Sequence, residues 1–237
     1  MTQYKKHITA AVIILLTLVA ILGGILLREK SLAWLTLCIT VLSMLPLFFS
    51  FERKKNKSGE IAVLAVMIAI AVAGRFLFAF LPGFKPITAI VILTGISLGK
   101  EQGFAVGALS AVVSNFYFGQ GPWTPFQMLA WGLIGFLAGI FATSLQKYRW
   151  LLYLSGMIAG GLFSAIMDLW STLWLGGTFS LSRYLAVTAT SLPTTLGYVL
   201  SNLIFLILLT RPILQKLDRI KTKYGLFKIS KKEGTQS

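Results

Sequence analysis

Apolar residues fall in long runs, at 8–27, 32–51, 61–81, 87–98, 103–118, 126–145, 151–174 and 184–209, with short polar breaks between them. A helix needs roughly 20 apolar residues to cross ~30 Å of hydrocarbon, so the pattern predicts about eight spanning helices. The run 8–27 starts basic, lacks a small-x-small cleavage site and is long for a signal peptide, which makes it a spanning helix. The fourth and fifth runs are short. A re-entrant hairpin there would leave Lys100 and Glu101 at mid-membrane, at a cost of several kcal/mol. Two short, tilted crossings with those charges in water fit better.

Composition agrees with the pattern. Hydrophobic residues make up 56% of the 237 and charged residues 12%, and the mean hydropathy is +0.81. A soluble enzyme with one ordinary core is excluded. The net charge of +15 would suggest nucleic acid in a soluble chain, but here it follows from topology. With the N-terminus inside, 17 of the 22 basic residues fall on the cytoplasmic side, against Arg28, Lys30, Lys85 and Arg183 outside. Both termini are therefore expected in the cytoplasm of a multi-pass protein of a bacterial-type cell membrane, with lipid and not nucleic acid around it. Cys38 is the single cysteine and His7 the single histidine, which leaves no disulfide framework and no thiolate zinc site.

The linker at 52–60 separates a plain Leu/Ile/Val/Thr helical pair from six later helices that hold most of the glycine and most of the aromatic residues. The expected organisation is an N-terminal transmembrane hairpin and basic linker (1–60), a six-helix module (61–210) and a basic cytoplasmic tail (211–237). No internal repeat is apparent, so an inverted-repeat transporter is not supported.

Two ionisable residues lie well inside the runs, Arg75 and Asp168, each six residues from the outer end of its segment. Each is costly alone in hydrocarbon, and opposite charges at one depth are expected to face each other or share a polar pocket. A buried pair that only pins two helices is the competing account. Gly156, Gly160, Ser164, Asp168, Thr172 and Gly176 form a small, polar stripe, and Gly103, Gly107, Ala111, Asn115 and Gly119 form a second. Small residues at this spacing allow close helix approach.

The segment 115–127 is the densest aromatic and turn-rich run in the chain. Asn115, Gln120 and Gln127 place amides among Tyr117, Trp123 and neighbouring phenylalanines. An interfacial aromatic belt would explain the rings, but aromatic walls with a few oriented polar groups also suit a small-molecule pocket. Lys85, Trp170 and Trp174 reach the same outer level, so the candidate substrate-binding set is Arg75, Lys85, Asn115, Tyr117, Gln120, Trp123, Gln127, Asp168, Trp170 and Trp174. Ala65, Ala69 and Ala73 form a smooth stripe about 200° around the helix from Arg75. If Arg75 points inward, they point outward, where a lipid or another protein's helix could lie.

Catalysis fails by inventory. No His-Glu-x-x-His is present, one intramembrane acid cannot make a two-aspartate protease, and no Ser–His dyad can form in the bilayer. Gly95-Ile-Ser-Leu-Gly99-Lys100 departs from a phosphate loop in spacing and in lacking the terminal Ser/Thr.

Three stretches, Ala-Val-Ala-Gly-Arg-Phe at 71–76, Gly-Phe-Lys-Pro at 83–86 and Phe-Gly-Gln-Gly-Pro-Trp-Thr-Pro at 118–125, carry a resemblance. Over roughly 61–210 the chain resembles the substrate-binding S components of energy-coupling factor (ECF) vitamin importers. The resemblance implies an all-α integral membrane protein, a six-helix S-component-like bundle carrying here an extra N-terminal hairpin. It implies a non-catalytic subunit that binds a vitamin near its outer face, docks on a T transmembrane subunit driven by two ATPase subunits, and topples to deliver the ligand. The family's alanine motif contacts the T subunit, and Ala65, Ala69 and Ala73 match it. The Phe-Gly-Gln-Gly-Pro-Trp form looks most like cobalamin-type members, so cobalamin is the expected ligand. Two other classes stay open: a membrane scaffold without a small-molecule ligand, and a self-contained ion-coupled transporter.

Overall fold

The computed structural model describes residues 58–227, so the hairpin expected at 8–51 lies outside the described residues. Seven helices follow in order among these residues, with no strand: α1 (Ser58–Leu77), α2 (Ile87–Leu98), α3 (Lys100–Phe118), α4 (Thr124–Ile140), α5 (Ala142–Lys147), α6 (Arg149–Gly176) and α7 (Leu181–Tyr224). Helices α1, α6 and α7 are long and apolar enough to cross a membrane; α2 and α4 are shorter but apolar. The count of eight spans is not tested, because the first two expected spans lie outside 58–227.

The short helices are the inner ones. Every residue of α2 is buried, packed by α1, α3, α4 and α7. At 12 residues it is only about 18 Å long, which suffices because its surroundings are protein rather than lipid. The long helices expose their apolar residues: Leu185, Leu192, Leu196 and Leu200 on α7 and Ile158 on α6 are all exposed.

Glycines set the inner packing. A methyl group added to Gly95 or Gly103 would overlap the Gly135 carbonyl, and one on Gly107 would overlap the Trp131 carbonyl. Helices α2, α3 and α4 therefore meet backbone to backbone, as the small stripe on α3 anticipates. Between α2 and α3 the chain reverses at Gly99, whose φ of 118° suits glycine alone.

The second stripe is the α6–α7 seam. Asn202 Nδ2 donates to the Gly156 carbonyl at 2.9 Å, Gly160 lies against the Val199 backbone, and Ser164 and Thr195 share a hydroxyl hydrogen bond. One turn further out, Ser191 Oγ donates to Asp168 Oδ2 at 2.8 Å.

Helix ends differ from the apolar runs in informative ways. The expected segment 61–81 stops at Leu77, because Pro82 and Gly83 follow and the chain turns through Phe78–Leu81. The run 126–145 breaks at Phe141 into α4 and α5. The last helix continues past 210 through Tyr224, so the first part of the assigned tail is helical. Leu217, Leu226 and Phe227 are buried there, and the Phe227 N–H donates to Glu60 Oε1 at 2.7 Å, which ties the end of α7 to the start of α1.

Candidate functional site

Arg75 sits in the last turn of α1, where the helix dipole favours a cation, and it points inward. It is 7% exposed, while Ala65, Ala69 and Ala73 on the opposite face are exposed. The opposed faces anticipated from a 200° separation are therefore present. Arg75 Nη1 donates to Ser114 Oγ and to Asn115 Oδ1 at 2.8 Å. Its guanidinium carbon lies 4.4 Å from the Phe118 ring centroid and 5.2 Å from that of Trp131. Its Nε is buried and without a hydrogen-bond partner.

Arg75 and Asp168 do not form an ion pair among the described residues. Asp168, buried at the α6–α7 seam, takes its hydrogen bond from Ser191. Equal depth in sequence does not place two side chains on facing helix surfaces, and Arg75 is turned toward α3.

The amides of the 115–127 segment are engaged with one another. Asn115 Nδ2 donates to Thr124 Oγ1 at 2.9 Å and to Gln127 Oε1 at 2.8 Å. Thr124 donates to Gln120 Oε1 at 3.0 Å, and Gln120 Nε2 donates to the Val112 carbonyl at 2.9 Å. The Trp123 ring lies on Gly121, where a methyl group would overlap it. This web clasps the end of α3 to the start of α4 and anchors Arg75 through Asn115. Tyr117 lies outside it, exposed and edge-on to Phe76. Trp170 is buried 5.2 Å from Phe126, with the exposed Trp174 5.3 Å further along.

Lys85 occupies the loop between α1 and α2. That loop is seated on α7: Gly83 (φ 71°) lies against the Thr194 carbonyl and Gly197. The Lys85 N–H donates to Ser201 Oγ at 2.7 Å, and the same hydroxyl donates to the Lys85 carbonyl at 2.8 Å. The side chain is thereby free of the fold's hydrogen bonding, and its Nζ lies 5.6 Å from the Phe118 centroid. Partial burial, and secondarily the Arg75 charge, hold the ammonium below the ordinary lysine value. Both cations flank Phe118, so their charges are no more than 10 Å apart. At an effective dielectric near 20, like charges at that distance repel by roughly 1.7 kcal/mol.

Behind the cations runs a chain of rings. Trp131 stacks on Phe163 at 4.7 Å, Phe163 meets Tyr198 edge-on at 5.0 Å, and Trp131 Nε1 donates to Thr88 Oγ1 at 3.2 Å. Arg75, Lys85, Phe118, Trp131, Phe163 and Tyr198 thus form one contiguous cation–aromatic cluster. Ser114, Phe118, Trp131, Phe163 and Tyr198 were not among the sequence candidates. No group of three or more metal-ligating side chains occurs among the described residues.

A family model described as ECF-type riboflavin transporter, S component, matches residues 55–219 of the chain. No curated protein and no solved structure matches it.

Proposed function

The chain belongs to the ECF-type riboflavin transporter S-component family, a family of membrane transport subunits, and we propose that it captures a vitamin in the outer half of its bundle and hands it to ATP-driven partners. The observation that carries this reading is the cation–aromatic cluster. Flat rings from α3, α4, α6 and α7 and two cations from α1 and its following loop converge there, an arrangement suited to a heteroaromatic cofactor. The exposed stripe of Ala65, Ala69 and Ala73 supplies the surface on which a T transmembrane subunit would dock, and two ATPase subunits would provide the hydrolysis for which this chain has no motif. The outer amides act by holding the loop 119–123 and Arg75, rather than by touching the ligand directly. Asp168 acts at the helix seam.

Two substrates follow from two observations. The family description names riboflavin, and the Phe-Gly-Gln-Gly-Pro-Trp loop at 118–123 resembles cobalamin-type members. Mass spectrometry of ligand released from the purified protein separates them. Recovery of a flavin or a corrinoid supports the reading. Recovery of no vitamin, together with no T subunit or ATPase in a pull-down, favours the scaffold reading.

A further inference from the structure

We propose that an anionic phospholipid occupies the cleft between α4 and α6, with an acyl chain in the cleft and its phosphate on Arg149. The site lies at the end of α2 opposite the Lys85 loop, and it is independent of what the cation–aromatic cluster binds.

Two adjoining hollows make the site. The first is an apolar cleft of about 250 Å³, lined by Ile92 of the buried helix α2, by Ala138 and Phe141 along α4 and its end, and by Leu151, Ile158 and Leu162 of α6. Ser155 is its one polar lining residue, and that hydroxyl donates to the Leu152 carbonyl of its own helix at 2.7 Å. The lining side chains therefore offer an occupant apolar contact. The second hollow, of about 240 Å³, is lined by Gln146, Arg149, Thr210 and Asp218, and Leu145 borders both hollows.

Most polar groups of the second hollow are already engaged. Asp218 is paired with Lys221 at 3.1 Å, Gln146 Nε2 donates to the Ile96 carbonyl at 3.1 Å, and Thr210 donates to the Leu206 carbonyl. Arg149 is exposed and has no ion-pair partner among the described residues. It opens α6, whose first turn holds no acidic residue, so the helix dipole adds to its charge. Lys147 stands two positions before it.

Dimensions decide the occupant. Leu151 and Leu162 are separated by about 17 Å along α6, close to the ~15 Å that one leaflet contributes to a ~30 Å hydrocarbon core. A cleft of about 250 Å³ spread over that length has a cross-section of about 15 Å². That admits a hydrocarbon chain but not a partner's helix, which is at least ~10 Å across. An apolar slot one leaflet deep that ends beside an unpaired cation fits a lipid with an anionic head, and the head lies on the side that the charge bias assigns to the cytoplasm.

The test titrates the full chain, purified in detergent, with phosphatidylglycerol and with phosphatidylcholine of the same acyl chains, and counts retained lipid by native mass spectrometry. One basic side chain near a membrane surface corresponds to roughly fivefold in affinity, so the first phosphatidylglycerol is expected to bind about fivefold more tightly than phosphatidylcholine. Arg149→Gln is expected to bring that ratio below about twofold, and Arg149→Lys to retain it. Lys223→Gln, which removes a charge from the last turn of α7, leaves the ratio unchanged. Ser155→Phe, which fills the cleft without breaking a bond to another helix, is expected to weaken both lipids. Arg149 is exposed and Ser155 bonds only within α6, so Arg149→Gln and Ser155→Phe are expected to melt like the wild type. Equal binding of the two lipids, a preference that survives in Arg149→Gln, or binding untouched by Ser155→Phe overturns the proposal and reduces the lipid to an unspecific annulus.

Discussion

Replacing Asn115 by alanine separates a ligand handle from a structural clasp. The side chain accepts from Arg75 and donates to both Thr124 and Gln127, and it is 1% exposed. Inside a membrane bundle a hydrogen bond contributes on average about 0.6 kcal/mol, so the two neutral bonds supply roughly 1 kcal/mol. The bond from Arg75 is charge-assisted, and losing it leaves a buried guanidinium short of an acceptor, adding about 1.5–3 kcal/mol. The sum is about 2.5–4 kcal/mol. For a domain of this size each kcal/mol shifts the midpoint by roughly 2–4 °C, so thermal unfolding in detergent should fall by at least about 5 °C. Asn115→Asp, which keeps an acceptor for Arg75, should recover about half of that loss. A melting temperature for Asn115→Ala within 1 °C of wild type, with weakened vitamin binding, would refute the clasp and return Asn115 to the ligand.

Gly135→Ala drives a methyl group into the Gly103 backbone and should destabilise by about 1–3 kcal/mol, read from thermal unfolding; an unchanged midpoint would mean the three inner helices are not in backbone contact. Ala69→Leu, on the exposed face of α1, should reduce co-purification of a T subunit while leaving the vitamin dissociation constant unchanged; equal loss of both would remove the docking assignment. Asp168→Asn should retain stability because its amide oxygen still accepts from Ser191, whereas Asp168→Ala should lose about 1–2 kcal/mol; if the asparagine variant loses as much as the alanine one, the charge itself is required. Lys85 binds its proton less readily in the folded chain than in the unfolded one. Stability should therefore rise with pH in the window just below the ordinary lysine value of about 10.4. Melting temperature measured across that window checks the sign.

The architecture was legible where one physical rule dominates. The run 87–98 became a helix with those bounds, because Pro86 and Gly99 bracket it. The glycine stripes marked both close helix seams, since small residues at a four-residue spacing have few other uses in a membrane. That the alanines face away from Arg75 followed from helix geometry alone; that Arg75 is the inward one came from the structure. What depends on the rotation of one helix against another was not legible. Arg75 and Asp168 share a depth but not a facing surface, and only packing turns Arg75 to Ser114 and Asn115. The ring chain Trp131–Phe163–Tyr198 draws one residue from each of α4, α6 and α7, so no local spacing could announce it. Gln120 and Gln127 were visible as amides in an aromatic loop, but their partners are Val112, Asn115 and Thr124 on the flanking helix ends, which a sequence pattern cannot distinguish from a ligand.

The most direct test is a titration of the purified wild-type chain with riboflavin and cobalamin, read by Trp131-sensitive fluorescence and calorimetry, beside a Tyr198→Ala variant. The account predicts one vitamin bound with a dissociation constant below about 10 μM, near −7 kcal/mol, and at least tenfold weaker binding in the variant. No binding by either vitamin in that range, or binding indifferent to loss of the Tyr198 ring, would contradict it.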